Sequence, residues 1–153
     1  MNRHFCLLSR KLKEYNKIAP YLQKYLFVGQ KHCETRILTS DHLKIFSELS
    51  GDTNPIHFDS KFVGEQTRYD RPLVHGALLN SLVSSVIGTK LPGPGSVVVQ
   101  QELNFPSPCY VGEEILIEVT VQKIRKIITV DFTCKSLEQV VLHGYAKLVH
   151  RKS

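Results

Sequence analysis

The stretch LSGDTNPIHFD, residues 49–59, sets a carboxylate (Asp52), an amide (Asn54) and an imidazole (His57) within six positions, and Pro55 stiffens the loop between the two titratable groups. An acid and an imidazole held together can pass a proton between them and a substrate, and positioned groups of this kind contribute on the order of 10² to 10⁴ in rate. About twenty residues later RPLVHG, residues 71–76, enters an apolar run with the character of a helix. The first N–H groups of a helix have no partner within it, so from Gly76 onward they point at whatever lies over that end. Ser84 lies two turns further along. Such a set suits chemistry beside a thioester carbonyl, with one proton moved at Cα and an oxygen handled at Cβ. The N–H donors would stabilise the enolate oxygen that develops in between, each worth about 3–4 kcal/mol. By spacing alone, the same loop also fits a turn-capping aspartate beside an exposed histidine.

The elements that must position these residues can be read from periodicity. CETRILTS (33–40) reads as a first strand. Ser40 can cap the helix DHLKIFSELSG, with Asp41 favouring its N-terminus and Gly51 stopping it. Residues 59–71 are polar and irregular. From Gly76 to Ile87 the residues are small or apolar almost all round, which predicts a buried helix. Gly88 and the cluster Pro92–Gly95 end it. The rest is strand-like: Val97, Val99, Gln101, Leu103 and Phe105 alternate with less apolar neighbours, and three β-branched runs follow. The breaks at 106–112, 125–126 and near 138 are short enough for antiparallel neighbours. The class is α+β, helices first and then an antiparallel sheet around the buried helix.

Bulk composition narrows the options. A chain of 153 residues, 42% hydrophobic and 22% charged, is sized for one soluble domain. No apolar run reaches the roughly 20 residues of a membrane span. Cys6, Cys33, Cys109 and Cys134 stand singly, which argues against zinc or a disulfide framework and for a reduced compartment. The net charge of +6 is uneven. Residues 1–31 carry seven Lys/Arg and one acid, while the remaining 122 carry 13 of each sign. A neutral body argues against a nucleic-acid partner. The leader places Arg3, Arg10, Lys17 and Lys24 seven apart, with Phe5, Leu8, Leu12 and Tyr15 at helical spacing. A basic, acid-poor amphipathic start predicts a mitochondrial targeting segment over 1–31 and a domain over 32–153.

FSELSGDTNPIHFD, followed about twenty residues on by RPLVHGALLNSLVSSVIGTKLPGPGS, resembles the (R)-specific hydratase/dehydratase family, the MaoC-like branch of the hot-dog fold. The likeness runs from about Leu38 to the C-terminus. With the basic leader it extends to the mitochondrial 3-hydroxyacyl-thioester dehydratases of type 2. It implies that Asp52 and His57 are the catalytic pair holding the water added or expelled. It further implies that Asn54 hydrogen-bonds within their loop, that Gly76 offers its N–H to the thioester oxygen and that Ser84 associates with the pair. Val63–Gly64 departs from the family pattern where a smaller residue such as alanine is usual, which bears on the pocket wall and not on the chemistry. The resemblance also implies dehydration of a (3R)-3-hydroxyacyl chain on acyl-carrier protein in the mitochondrial matrix, by a homodimer with no metal or redox cofactor. Phosphopantetheine would arrive with the carrier.

The alternatives are an (R)-specific enoyl-CoA hydratase of β-oxidation and a non-catalytic acyl-binding or RNA-associated module. Among the other side chains, His75 reads as a packed histidine, and His42, His143 and His150 as surface or structural. Asp70 and Arg71 read as ties for the loop, Arg125–Lys126 as a hairpin turn, and Arg68 with Arg71 as possible receivers of an acidic carrier.

Overall fold

The computed structural model describes residues 26–150. The targeting segment expected over 1–31 therefore lies largely outside the described residues. Strand β1 (Lys31–Ile37) is followed by helix α1 (Ser40–Ser50), a 3₁₀ turn (Pro55–His57), helix α2 (Ser60–Gln66) and helix α3 (Gly76–Thr89). Four strands complete the chain: β2 (Ser96–Asn104), β3 (Glu114–Ile124), β4 (Ile128–Ser136) and β5 (Gln139–His150). All pair antiparallel in one sheet of order β1-β3-β4-β5-β2, a hot-dog fold.

Period-two patterning fixes which face of the sheet is inside. Ile115, Ile117, Val119 and Val121 of β3 and Val130, Phe132 and Cys134 of β4 are buried, and Leu142, Ala146 and Leu148 of β5 join them. Against this face packs one side of α3, through Leu79, Val83, Val86 and Ile87.

Three local expectations change. Helix α1 is capped by Thr39 and not by Ser40: the Thr39 hydroxyl faces the His42 N–H while the His42 ring accepts from the Thr39 N–H at 3.1 Å. An imidazole thus stands where a capping box usually has Glu or Gln, which gives His42 a structural role. The stretch read as irregular contains α2, whose N–H groups at Lys61 and Phe62 donate to Asp59 Oδ1 at 2.9 and 3.0 Å. Seven residues are too few to show a period; the cap and the buried Val63 define this helix. Finally, the described residues do not cover α3 all round. Ala77, Ser81, Ser84 and Ser85 are exposed on the side away from the sheet. A single sheet can cover only one side of a helix, and the uncovered side carries the small residues.

Gly51 ends α1 in the left-handed region, at φ 79°, with its N–H on the Ser47 carbonyl at 2.8 Å. That stop turns the chain directly into the Asp52 loop. The far end of the site is anchored as firmly: the Arg71 guanidinium pairs with Glu113 Oε1 at 2.6 Å and lies over the Tyr110 ring at 4.2 Å. Glu113 in turn accepts from the buried Ser136 hydroxyl at 2.6 Å. The loop between α2 and α3 is thereby tied to the sheet through a well-buried carboxylate.

Candidate active site

The loop after α1 is held by its own backbone. The Ser47 hydroxyl donates to the Asp52 carbonyl at 2.7 Å. The Asn54 N–H donates to Asp52 Oδ1 at 3.2 Å, and Asn54 Oδ1 accepts from the Ile56 N–H at 3.2 Å. Each is a short side-chain-to-backbone bond of the kind Asp and Asn make in turns. Asn54 thereby caps the 3₁₀ turn, Pro55 starts it, and His57 closes it. One backbone bond, Leu73 N–H to the Ile56 carbonyl at 3.1 Å, brings the approach to α3 alongside.

His57 is oriented by that approach segment. Its Nδ1–H donates to the Leu73 carbonyl at 2.8 Å, which leaves Nε2 with a free lone pair. Nε2 lies 4.0 Å from Asp52 Oδ2. This is too long for a direct hydrogen bond and suited to one water that donates to both. The His57 side chain is 12% exposed and that of Asp52 47%, so the pair sits at the edge of the protein with the carboxylate on the wet side.

His75, the residue before α3, is packed as read from the sequence, 1% exposed. Its ring stacks on that of His57 with centroids 3.6 Å apart and planes at 24°. Nε2 of His75 is 3.4 Å from the Asp52 carbonyl. Burial first, and the neighbouring His57 second, hold its pKa below the usual imidazole value, against smaller opposing effects of the Asp52 carbonyl and carboxylate. Asp52, His57 and His75 have potential ligand atoms within 4.8 Å of one another. Stacked rings have in-plane lone pairs that run parallel and do not converge, so this donor set suits a proton site better than a metal ion.

Gly76 follows at once as the first residue of α3, and its N–H finds no acceptor among the described residues. A Cβ at this position would lie 3.2 Å from the Phe105 ring, so glycine keeps the approach open. Gly76 also walls a cavity of about 240 Å³ bounded by Leu79, Phe105 and Val141, with Arg68 and Tyr69 among its lining residues. The Arg68 guanidinium lies over the Tyr69 ring, 5.3 Å from its centroid. Arg71 is committed to Glu113, as described. Ser84 lies on the exposed side of α3, and among the described residues no side-chain hydrogen bond joins it to Asp52 or His57. Asp52, Asn54, His57 and Gly76 therefore come together within one site and Ser84 stays on the open flank. Cys109 and Cys134 are buried thiols pushed up to about 12 and offer no nucleophile.

The MaoC-like domain model matches residues 28–145, most of the chain. The chain belongs to the MaoC-like family. An (R)-specific enoyl-CoA hydratase of Aeromonas caviae is 42% identical over 101 residues, 66% of this chain and 75% of that protein. A mitochondrial 3-hydroxyacyl-[acyl-carrier-protein] dehydratase of Arabidopsis thaliana is 37% identical over 105 residues, 69% of this chain and 60% of that protein. The solved structure of the (R)-hydratase from A. caviae superposes with a TM-score of 0.78 at 35% identity, covering 83% of this chain and 98% of that one. This MaoC-like protein is thus a hydro-lyase enzyme, with relatives on both the hydratase and the dehydratase side.

Proposed function

We propose that the protein interconverts a (3R)-3-hydroxyacyl thioester with the trans-2-enoyl thioester and water, and works as a dehydratase on chains carried by acyl-carrier protein in mitochondrial fatty acid synthesis. The observation that carries the chemistry is the 4.0 Å gap between His57 Nε2 and Asp52 Oδ2, one residue's stacking away from the free Gly76 N–H. In dehydration His57 Nε2 takes the C2 proton, and charge moves onto the thioester oxygen under the Gly76 N–H. As the C3–O bond breaks, the same proton leaves with the hydroxyl as water. Asp52 remains a carboxylate throughout, accepting from the substrate hydroxyl and stabilising the imidazolium. The balance needs no metal or redox cofactor, and phosphopantetheine comes with the substrate.

Support for the carrier-linked, mitochondrial setting comes from the basic leader and from plant mitochondrial relatives at 37% and 34% identity. Arg68, exposed at the cavity rim, is the cation available there to an acidic carrier. A CoA-linked hydratase is the second reading, favoured by the 42% identity to the A. caviae enzyme. We further propose a homodimer formed along β2, whose outer edge is unpaired among the described residues and whose Val97 and Val99 are more than half exposed.

The test is turnover of matched (R)- and (S)-3-hydroxyacyl chains on acyl-carrier protein and on CoA, followed through the absorbance of the enoyl thioester. Turnover confined to the (R) series, with kcat/KM at least about tenfold higher on the carrier, is expected. A preference for CoA selects the hydratase, and inertness toward all four substrates overturns both readings.

A further inference from the structure

The stacked histidine next to the acid–base pair carries more than packing. We infer that His75 is a positioning residue of the site: a neutral plate that holds the His57 ring, the Asp52 loop and the Gly76 end of α3 in one register. The inference rests on the preceding reading of Asp52 and His57 as the acid–base pair.

Geometry identifies its single proton. A carbonyl oxygen can only accept, so the Nε2 contact to the Asp52 carbonyl places the hydrogen on Nε2. Nδ1 is then a bare lone pair, and it is fully buried with no hydrogen-bond partner among the described residues. A second proton there would lie buried without an acceptor among the described residues, and 3.6 Å from a ring that must carry positive charge during turnover. Among the described residues, the titratable groups against His75 are His57 from the 3₁₀ turn and Asp52 from the loop. Helix α1 contributes the Phe46 ring at 5.0 Å and the chain after the turn the Phe58 ring at 5.6 Å, neither of them charged. Of the two stacked imidazoles, His75 is thus the one that its surroundings keep neutral.

The same residue spans three parts of the site. Its ring fixes the plane of His57 and its Nε2–H reaches the backbone of Asp52. Its own position at the helix start sets where the next N–H, that of Gly76, points. Thr39 and Asp59, which precede α1 and α2, use their side chains to accept the first N–H groups of their helices. His75 makes no such bond. A displacement of about 1 Å in a positioned group can lower turnover about a hundredfold, so a role in register appears in kcat and not in substrate affinity.

Two measurements test this. The first uses wild-type protein with ¹⁵N-labelled imidazoles and reads proton occupancy by NMR, independently of activity. His75 is expected as the Nε2–H tautomer, staying neutral while pH falls well below 6.5. A proton on Nδ1 at neutral pH, or titration at the ordinary histidine value, overturns the inference. The second compares His75→Phe, which keeps the stack and loses the donor, with His75→Gln, which keeps a donor and loses the stack. Each is expected to lower kcat about 10- to 100-fold with KM within about threefold. Wild-type kcat in both, beside an inactive His57→Ala, overturns this inference alone. Wild-type turnover in His57→Ala overturns the reading of the pair and this inference with it.

Discussion

Replacing Gly76 by proline would remove the proposed oxyanion donor and little else. Gly76 is the first residue of α3, where proline is well tolerated because the N–H it lacks has no partner inside the helix. Proline also requires an extended conformation of the residue before it, and His75 already has φ −59° and ψ 130°. The steric change is modest. A Cβ at position 76 would meet Cε1 and Cζ of Phe105 at 3.2 Å, and that half-exposed ring has solvent to move into. Gly76→Ala introduces the same contact while retaining the N–H, so it isolates the donor. Loss of one oxyanion donor costs about 2.7–4 kcal/mol of transition-state stabilisation, or 10²–10³ in kcat. Enoyl-thioester absorbance should therefore show Gly76→Ala within about fivefold of wild type and Gly76→Pro slower by 10²–10³, with thermal melting of the two variants alike. Proline turning over as fast as alanine would refute the donor role. Alanine falling as far as proline would transfer the loss to the Phe105 contact and refute it equally.

Opposite charges 4 Å apart interact by about 1 kcal/mol in water and about 4 kcal/mol at an effective dielectric of 20; with Asp52 half exposed, Asp52→Asn is expected to lower kcat about 10- to 100-fold. His57→Ala should cost 10² or more, and the double variant should be no worse than His57→Ala within about threefold; losses that multiply would show that Asp52 does not act through the His57 imidazolium. Gly144→Ala should lower the thermal midpoint by about 10 °C, because its Cβ would collide with the Glu102 carbonyl and come within 3.0 Å of Phe132, forcing β2 from β5; an unchanged midpoint would contradict this close approach. The depressed pKa of His75 makes the unfolded chain bind the extra proton first, so stability is full above about 6.5 and falls as pH drops below it; urea melts between pH 7 and 5 should lose this slope in His75→Phe. Cys134, raised from 9.0 to about 12, has the opposite sense: stability is full below 9 and falls as pH rises toward 12, a slope that Cys134→Val should flatten.

What the sequence made legible follows the length over which a physical signal repeats. β3 and β4 alternate over eleven and nine residues, and their existence, with that of β5, was readable from β-branched, period-two runs. The Asp52/His57 loop was readable as a composition, with Gly51 and Pro55 marking its bend. Helix α2 was not, since its stabilising feature is one aspartate receiving two N–H groups. The open side of α3 was hidden for a different reason: Ala77, Ser81 and Ser84 are small enough to look like core, and hydropathy does not distinguish a buried small residue from an exposed one. His75 was legible as packed. Its stacking on His57 depends on Leu73 crossing the 3₁₀ turn, a tertiary contact with no counterpart in local spacing.

That crossing explains how an irregular loop holds a catalytic distance. His57 does not depend on its own flexible side chain for direction, because its Nδ1 is bonded to a carbonyl of the strand-like segment entering α3. The same segment is fixed one residue later by the Val74 N–H on the Cys109 carbonyl at 2.8 Å, and Leu73 bridges to Tyr110. Asp52 is fixed from the other direction, by Ser47 on α1. The two halves of the acid–base pair thus hang from different elements, α1 and the approach to α3, and the His75 ring is the wedge between them. Regular structure supplies the two rigid supports, and the loop supplies only the reach. A site built this way tolerates sequence change in α2 or along the outer sheet far better than at Ser47 or His75, whose side chains hold the Asp52 carbonyl and the His57 ring.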